Sequence, residues 1–238
     1  MSNGWNESAS AWIVDMGADG DFGRQFVLDP PMMDRVKNRG FRKALDVGCG
    51  EGRFCRMLAT LGIRTVGIDP TEALIRQARQ LDPDGDYRIG RAEALDCADR
   101  SFDLVISYLT MIDIPDVRTA IAEMVRVLAP EGTLLIANLT SFNTAGPPQG
   151  WTPDADGNQR FCIDHYMDER AEWVSWHGIR VHNWHRPLGT YMSLLLDQGL
   201  QLRHFCEPMP VAAADPERAQ WHRRVPYFLI MEWQRPAA

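Results

Sequence analysis

An open, doubly wound α/β sheet is the fold this sequence predicts, on three observations. From about residue 42, short apolar runs alternate with stretches of helical periodicity. Such alternation marks βαβ units, whose right-handed crossovers place helices on both faces of a parallel sheet. A glycine-rich turn, Asp46-Val47-Gly48-Cys49-Gly50-Glu51-Gly52, follows the first apolar run directly, and an acid, Asp69, ends the second. Open sheets bind ligands at that carboxyl edge.

The elements follow in order. Lys43-Ala44-Leu45-Asp46-Val47 is a compact run ending in glycines and reads as a buried strand. Residues 53–61 place Phe54, Met57, Leu58 and Leu61 at helical spacing. Thr65-Val66-Gly67-Ile68-Asp69 is a second strand, and Thr71 opens the next helix as its N-cap. Leu74, Ile75, Ala78 and Leu81 share one face of that helix, and Pro83-Asp84-Gly85 turns the chain toward a third strand at Tyr87-Arg88-Ile89. Phe102-Asp103-Leu104-Val105-Ile106-Ser107 is a fourth strand. A helix over residues 117–128 stops at Pro130-Glu131-Gly132, and Thr133-Leu134-Leu135-Ile136-Ala137 is the fifth strand.

After Asn138 the composition changes. Pro147, Pro148, Trp151, Trp173 and Trp176 fall within residues 140–186, as do His165, His177, His182 and His185. Residues 172–176 and 179–183 read as strands of a hairpin turning at His177-Gly178. The stretch is an insertion or lid on the sheet. Residues 187–200 resume as a helix with Leu188, Tyr191, Leu195 and Leu196 on one face, and residues 202–205 and 225–233 supply two closing strands.

At 238 residues, with 45% hydrophobic and 24% charged residues, the chain suits one domain with a modest insertion. Lys+Arg number 25 against 32 Asp+Glu, a net charge of −7 that argues against broad phosphate-backbone binding. No apolar window is long enough for a membrane span. The start, Met1-Ser2-Asn3-Gly4-Trp5, lacks the basic and then apolar run of a signal peptide. The five cysteines are widely spaced without a C-x-x-C pair and read as reduced thiols. A cytoplasmic location is the expectation.

The glycines let the backbone approach a ligand closely. A dinucleotide fingerprint would need glycine at position 53, where Arg53 stands, and no Gly-Lys-Ser/Thr follows for a phosphate-cradling loop. A carboxylate such as Asp69 at the end of the second strand accepts hydrogen bonds from both hydroxyls of a ribose. The alternative is a tight turn with a helix-capping Asp.

Together, Leu45-Asp46-Val47-Gly48-Cys49-Gly50-Glu51-Gly52 and Val66-Gly67-Ile68-Asp69 resemble the first two motifs of class I S-adenosylmethionine-dependent methyltransferases. Phe102-Asp103-Leu104-Val105-Ile106-Ser107 and Val127-Leu128-Ala129-Pro130-Glu131-Gly132-Thr133-Leu134 are similar to that family's strand-four motif and its approach to strand five. The resemblance covers roughly residues 41–139. The small-molecule branch that includes the ubiquinone and menaquinone C-methyltransferases is the most similar, and His185-Arg186-Pro187-Leu188, Tyr191 and Glu207-Pro208 resemble its late segment. The resemblance implies a mostly parallel seven-stranded, Rossmann-like sheet carrying an inserted lid. The expected divisions of one domain are a helical cap at 1–40, a cofactor-binding core at 41–139, an aromatic lid at 140–186 and closing elements at 187–238.

The resemblance also implies S-adenosylmethionine as cofactor and S-adenosylhomocysteine as product. Gly48, Cys49 and Gly50 would contact the methionine part through backbone groups, Asp46 would stand near its amino group, and Asp69 would hold the ribose. Pro70 and Thr71 would lie beside the adenine, Ala92 and Glu93 would frame its edge, and Ser107 and Tyr108 would sit near the sulfonium. The family often has an acid where Arg91 stands, so its contact to the adenine amino group passes to Glu93 or a backbone carbonyl. Arg24 is placed to pair with the cofactor carboxylate, the alternative being a surface Arg.

Methyl transfer from a sulfonium is an in-line displacement that demands alignment and exclusion of water. A base is needed only where the acceptor loses a proton. Candidate bases are His165, His177, His182, His185, Asp113 and Glu207, with His165, His177 and Tyr166 expected nearest the acceptor. His182-x-x-His185 has no third ligand, so no metal is expected. Trp151, Phe161, Tyr166, Trp173, Trp176 and Trp184, with Trp5 and Trp12, would wall a closed pocket for a planar small molecule; for any single ring the alternative is that it seats the hairpin. The expected partner is thus a small aromatic or heteroaromatic acceptor methylated at O, N or C, with neither nucleic acid nor membrane, by a monomer or homodimer. The alternatives are a protein or RNA methyltransferase and a non-catalytic adenosylmethionine-binding module.

Overall fold

The computed structural model describes residues 3–148 and 150–237. An amino-terminal layer comprises α1 (Trp5–Met16), a π-helical turn (Arg24–Leu28) and α2 (Asp29–Val36). The sheet elements then alternate: β1 (Lys43–Val47), α3 (Arg53–Ala59), β2 (Arg64–Asp69), α4 (Glu72–Leu81), β3 (Asp86–Ile89), β4 (Phe102–Tyr108), α5 (Val117–Val127) and β5 (Leu128–Leu139). Next come α6 (Ser141–Thr144), the strand pair β6 (Gly150–Pro153) and β7 (Gln159–Cys162), and the pair β8 (Arg170–Trp176) and β9 (Ile179–His185). The chain closes with α7 (Leu188–Asp197), β10 (Gln201–Cys206), α8 (Pro216–Arg224) and β11 (Phe228–Gln234).

Seven strands form one sheet in the order β10-β11-β5-β4-β1-β2-β3. All pairings from β5 to β3 are parallel, and β11 is antiparallel to both of its neighbours. The sheet is therefore the mostly parallel seven-stranded one expected.

Alternation along the strands divides the core. Leu45, Val47, Val105, Leu134 and Ile136 pack beneath α5 and α7, while Ala44, Leu104, Ile106, Leu135 and Ala137 pack with Phe54, Leu58, Met32 and Leu28 on the opposite face. The strand order reverses between β1 and β4, which opens a crevice at the carboxyl ends of these strands.

Several local readings change. Thr71 occupies the N-cap position of α4 without a side-chain cap; its own N–H donates to Asp69 Oδ1 at 2.8 Å. Leu81 and Leu196 are exposed, and Leu194 takes the buried place on α7. Pro130-Glu131-Gly132 lies inside β5, where the pairing with β4 slips and Glu131 adopts φ 61°. The inserted stretch holds two hairpins instead of one. Helix α8 escaped the sequence reading because none of its residues is buried, so it shows no apolar stripe; Asp215 caps it by accepting from Arg218 N–H at 2.9 Å. Among the described residues no helix is long and apolar enough to cross a membrane.

Candidate functional site

The glycine turn and the end of β2 are built as one unit. Gly48 and Cys49 N–H both donate to Ile68 O, at 2.7 and 3.1 Å. Asp69 Oδ2 accepts from Gly50 N–H at 3.0 Å while Oδ1 takes Thr71, so a single carboxylate ties both βα turns together. Burial pushes the Asp69 carboxyl above its ordinary range, and those two N–H groups pull it back. Gly48 has φ 76°, and a Cβ there would run into the side chain of Thr110. Gly50, at φ 56°, faces open space, with only the Trp12 indole nitrogen near at 3.9 Å.

Above this unit lies a cavity of about 490 Å³. Gly48, Gly50, Asp69, Pro70, Thr71, Leu74, Ala92, Glu93 and Tyr108 line its floor and sides, joined by Leu109, Thr110, Asp113, Ile114 and Pro115 from the segment after β4. Its roof is α1 and the adjoining chain, through Asn3, Trp5, Asn6, Glu7, Trp12 and Arg24. Trp5 and Trp12 meet edge to face with centroids 5.0 Å apart, and the Arg24 guanidinium lies 4.7 Å from the Trp12 ring centre. A hollow of about 50 Å³ adjoins, bounded by Asp46, Cys49, Glu51 and Arg53 together with Gly48, Gly50, Trp12 and Arg24.

Each predicted cofactor residue can now be placed. Gly48, Gly50, Asp69, Pro70, Thr71, Ala92, Glu93, Tyr108 and Arg24 line the cavity, and Asp46 and Cys49 line the hollow beside it. Ser107 does not reach either space: it is fully buried, and its Oγ has no hydrogen-bond partner among the described residues. Arg24 is already paired with Asp21 at 2.6 Å. The Tyr108 hydroxyl donates to Asp29 Oδ1 at 2.7 Å, and Asp29 is paired with Arg53, so Tyr108 is held from behind. Arg91 pairs with Glu93 at 3.0 Å.

Asp46 is 1% exposed; Cys55 Sγ donates to its Oδ2 at 3.5 Å, and its Oδ1 has no partner among the described residues. Burial, with Asp69 and Glu51 adding repulsion, raises its pKa to about 7. Asp113 is raised to about 8 by burial, against hydrogen bonds from Trp5 and from Asn183 Nδ2 at 2.7 Å. Both acids bind their proton more tightly folded than unfolded, so each lowers stability as pH climbs from about 4 toward its folded pKa. Apo-protein stability is expected to fall from about pH 4, through about pH 7 for Asp46 and about pH 8 for Asp113, by at most about 1.4 kcal/mol per pH unit for each group. Urea unfolding at several pH values checks this, and Asp46→Asn should flatten the slope.

The residues expected nearest the acceptor lie outside the lining of this cavity. His165 is exposed and bonds Asp168 at 3.0 Å; Tyr166 packs on Phe142 and His185, and its hydroxyl accepts from Leu188 N–H; His177 sits at the hairpin turn and bonds Asp15 at 2.7 Å. None of the three lines the cavity. The reason is that α1 docks against β9, through reciprocal Ser8–Arg180 bonds of 3.0 Å and His182 N–H to Asn3 O at 3.0 Å, and so it takes the covering position itself. The ring walls differ accordingly: Trp5 and Trp12 line the cavity, whereas Trp151 packs with Phe161 and Trp221, and Trp173 packs at a tilt against His182. Trp176 touches the site only through Trp12, with ring centres 6.5 Å apart, and Trp184 lies against Arg186. Of the other candidate bases, His185 bonds Thr144 and Tyr166 O, and Glu207 is exposed. Only Asp113 of that group lies in the cavity wall. The sequence reading missed Asn3, Asn6, Glu7, Thr110 and Pro115 as lining residues, because no local pattern announces them.

A family model described as a methyltransferase domain matches residues 45–136. The malonyl-[acyl-carrier protein] O-methyltransferase of Erwinia billingiae is 30% identical over 131 residues, 55% of this chain and 52% of that protein. The ubiquinone biosynthesis O-methyltransferase of Bartonella quintana is 34% identical over 101 residues, 41% of each chain. The chain thus spans about half the length, or less, of these curated relatives. A solved S-adenosylmethionine-dependent methyltransferase from Mesorhizobium loti superposes with a TM-score of 0.78 at 29% identity, covering 92% of this chain and 100% of that one. Residues 45–136, which hold the glycine turn and Asp69, thus match a methyltransferase domain, and the fold around them is similar to that of an S-adenosylmethionine-dependent methyltransferase.

Proposed function

We propose that the chain transfers a methyl group from S-adenosylmethionine to oxygen, nitrogen or carbon of a small aromatic or heteroaromatic molecule. The observation that carries this reading is the cavity itself, roofed by α1 and two tryptophans directly over the glycine turn. Its volume suits a small-molecule site, and flat rings on one wall suit a planar acceptor. The cations at its wall, Arg24 and Arg91, are already paired with Asp21 and Glu93, which disfavours a nucleic-acid backbone as partner.

The residues present fit the cofactor. Asp46 Oδ1 is a buried acceptor without a donor among the described residues, beside a hollow in which the cofactor's ammonium group would supply one. Gly50 leaves its face of the turn open to a ligand. Asp69 would accept from the ribose hydroxyls with the lone pairs that Gly50 and Thr71 leave free. Gly48 and Cys49 would border the methionine part, Pro70, Thr71, Ala92 and Glu93 the adenine, and Arg24 the carboxylate. Bound there, the cofactor supplies an electrophilic methyl on sulfur. The protein's part is to align the acceptor under α1 and keep water out.

Incubation with methyl-labelled S-adenosylmethionine and a cell extract, followed by acid precipitation, tests the reading. Label in the soluble fraction supports it; label in the precipitate moves the acceptor to protein or RNA. Trp12→Ala, which removes the roof ring under Arg24, should weaken S-adenosylhomocysteine binding by roughly tenfold, about 1.4 kcal/mol. Trp151→Ala, whose ring packs with Phe161 and Trp221 and does not line the cavity, should leave binding and transfer unchanged. Calorimetric titration of both variants separates a roof made by α1 from one made by the hairpin.

A further inference from the structure

We propose that Asp113 is a catalytic residue that accepts the proton of the acceptor's reacting group, so that the acceptor is a neutral molecule presenting an O–H or N–H rather than a carbon nucleophile. The proposal rests on the methyl-transfer reading of the same site.

Asp113 is rigidly placed. Its N–H donates to Thr110 O at 2.8 Å, closing a turn after β4. From behind, the buried Arg186 guanidinium holds the carbonyls of Met111, Ile114 and Pro115 at 3.2, 2.7 and 2.9 Å. The carboxyl therefore stands in the cavity wall on a loop fixed at both flanks.

Its hydrogen bonding leaves capacity toward the cavity. Asp69 has an amide N–H on each oxygen, and Glu93 is paired with Arg91. Asp113 instead takes two neutral donors, Trp5 from the roof and Asn183 from β9. A carboxylate offers about four lone-pair sites. Two donors leave room for a third, from the acceptor.

The charges facing it set its proton affinity. Asp69 across the cavity raises it and Arg24 lowers it; Glu7 on α1 and the Arg91–Glu93 pair share the cavity, and Arg186 lies behind the loop. His182, beside Asn183, packs at a tilt against Trp173. Burial is the largest influence and holds the carboxyl at about 8. A base works best with its pKa near the working pH, where it is both available and strong enough to take the proton.

The step balances. The acceptor's X–H bond breaks and its proton passes to an Asp113 oxygen, while the X lone pair forms the bond to the methyl carbon. The electron pair of the carbon–sulfur bond leaves with sulfur, which becomes a neutral thioether. Asp113 then returns its proton to solvent as product leaves.

The test compares wild type with Asp113→Asn. In protein carrying carboxyl-labelled aspartate, one ¹³C resonance should titrate near pH 8 and vanish in the variant; titration of that resonance below about pH 5 overturns the proposal. S-adenosylhomocysteine affinity should stay within roughly threefold, while label transfer to the soluble fraction of the extract drops by about 10²–10⁴-fold. Wild-type transfer should climb with pH through about 8, and the variant should lose that limb. Wild-type rate and pH profile in Asp113→Asn overturn the role of Asp113 alone. Failure of the wild-type chain to bind S-adenosylhomocysteine, or to transfer label once it is bound, overturns the underlying reading and this proposal with it.

Discussion

Asp69→Ala should weaken S-adenosylhomocysteine binding by about 100-fold or more, measured by calorimetric titration. A hydrogen bond to a charged group contributes about 1.5–3 kcal/mol, and two ribose hydroxyls would be lost together. The turn would loosen as well, because Gly50 N–H and Thr71 N–H each lose their acceptor. Asp69→Asn should be nearly as damaging despite its shape. The carboxylate serves one N–H with each oxygen, whereas an amide has a single acceptor oxygen and sets its NH₂ against the other donor. Affinity within threefold of wild type in both variants would remove Asp69 from the cofactor site.

Gly48→Ala should damage both stability and binding. The residue sits at φ 76°, a left-handed conformation that costs an L residue about 1–2 kcal/mol, and its Cβ would overlap the side chain of Thr110. Overpacking of this kind adds about 1–3 kcal/mol. For a chain of this size, the combined loss corresponds to a melting temperature lower by roughly 5–15 °C. The double variant Gly48→Ala/Thr110→Gly separates the two causes. It removes the overlap and keeps the backbone strain, so about half the loss should return. A melting temperature unchanged in the single variant would mean that the turn tolerates a side chain where the structure leaves no room for one.

These two residues were legible in the sequence for the same reason: both lie where a strand ends and a turn begins, and local chemistry governs such places. The glycine spacing and the acid ending the second strand specify backbone conformation and hydrogen bonding within a few residues of themselves. Strands β1, β2 and β4 were legible too, because buried parallel strands are nearly continuous apolar runs. Helix α8 was not, because a helix with no buried residue carries no periodic signal. Leu196 was assigned to the buried face of α7 in place of Leu194, since adjacent leucines let two faces fit the same spacing.

Which residues cover the site was decided only by the tertiary structure. His165, Tyr166, His177 and the tryptophans of the inserted stretch are gathered in sequence, but gathering does not say which way a hairpin faces. Hairpin β8–β9 turns its edge to α1, so residues more than 160 positions apart meet, as Ser8 does with Arg180 and Asp15 with His177. Trp5 and Trp12 then close the cavity from the amino terminus, and Asp113 becomes an enclosed acid between Trp5 and Asn183. By itself the sequence determined the sheet, the glycine turn and the acid beside it, because these follow from local periodicity and backbone geometry. The roof, the pKa values of Asp46 and Asp113 and the shape of the acceptor space depend on burial by distant segments, which no spacing along the chain records.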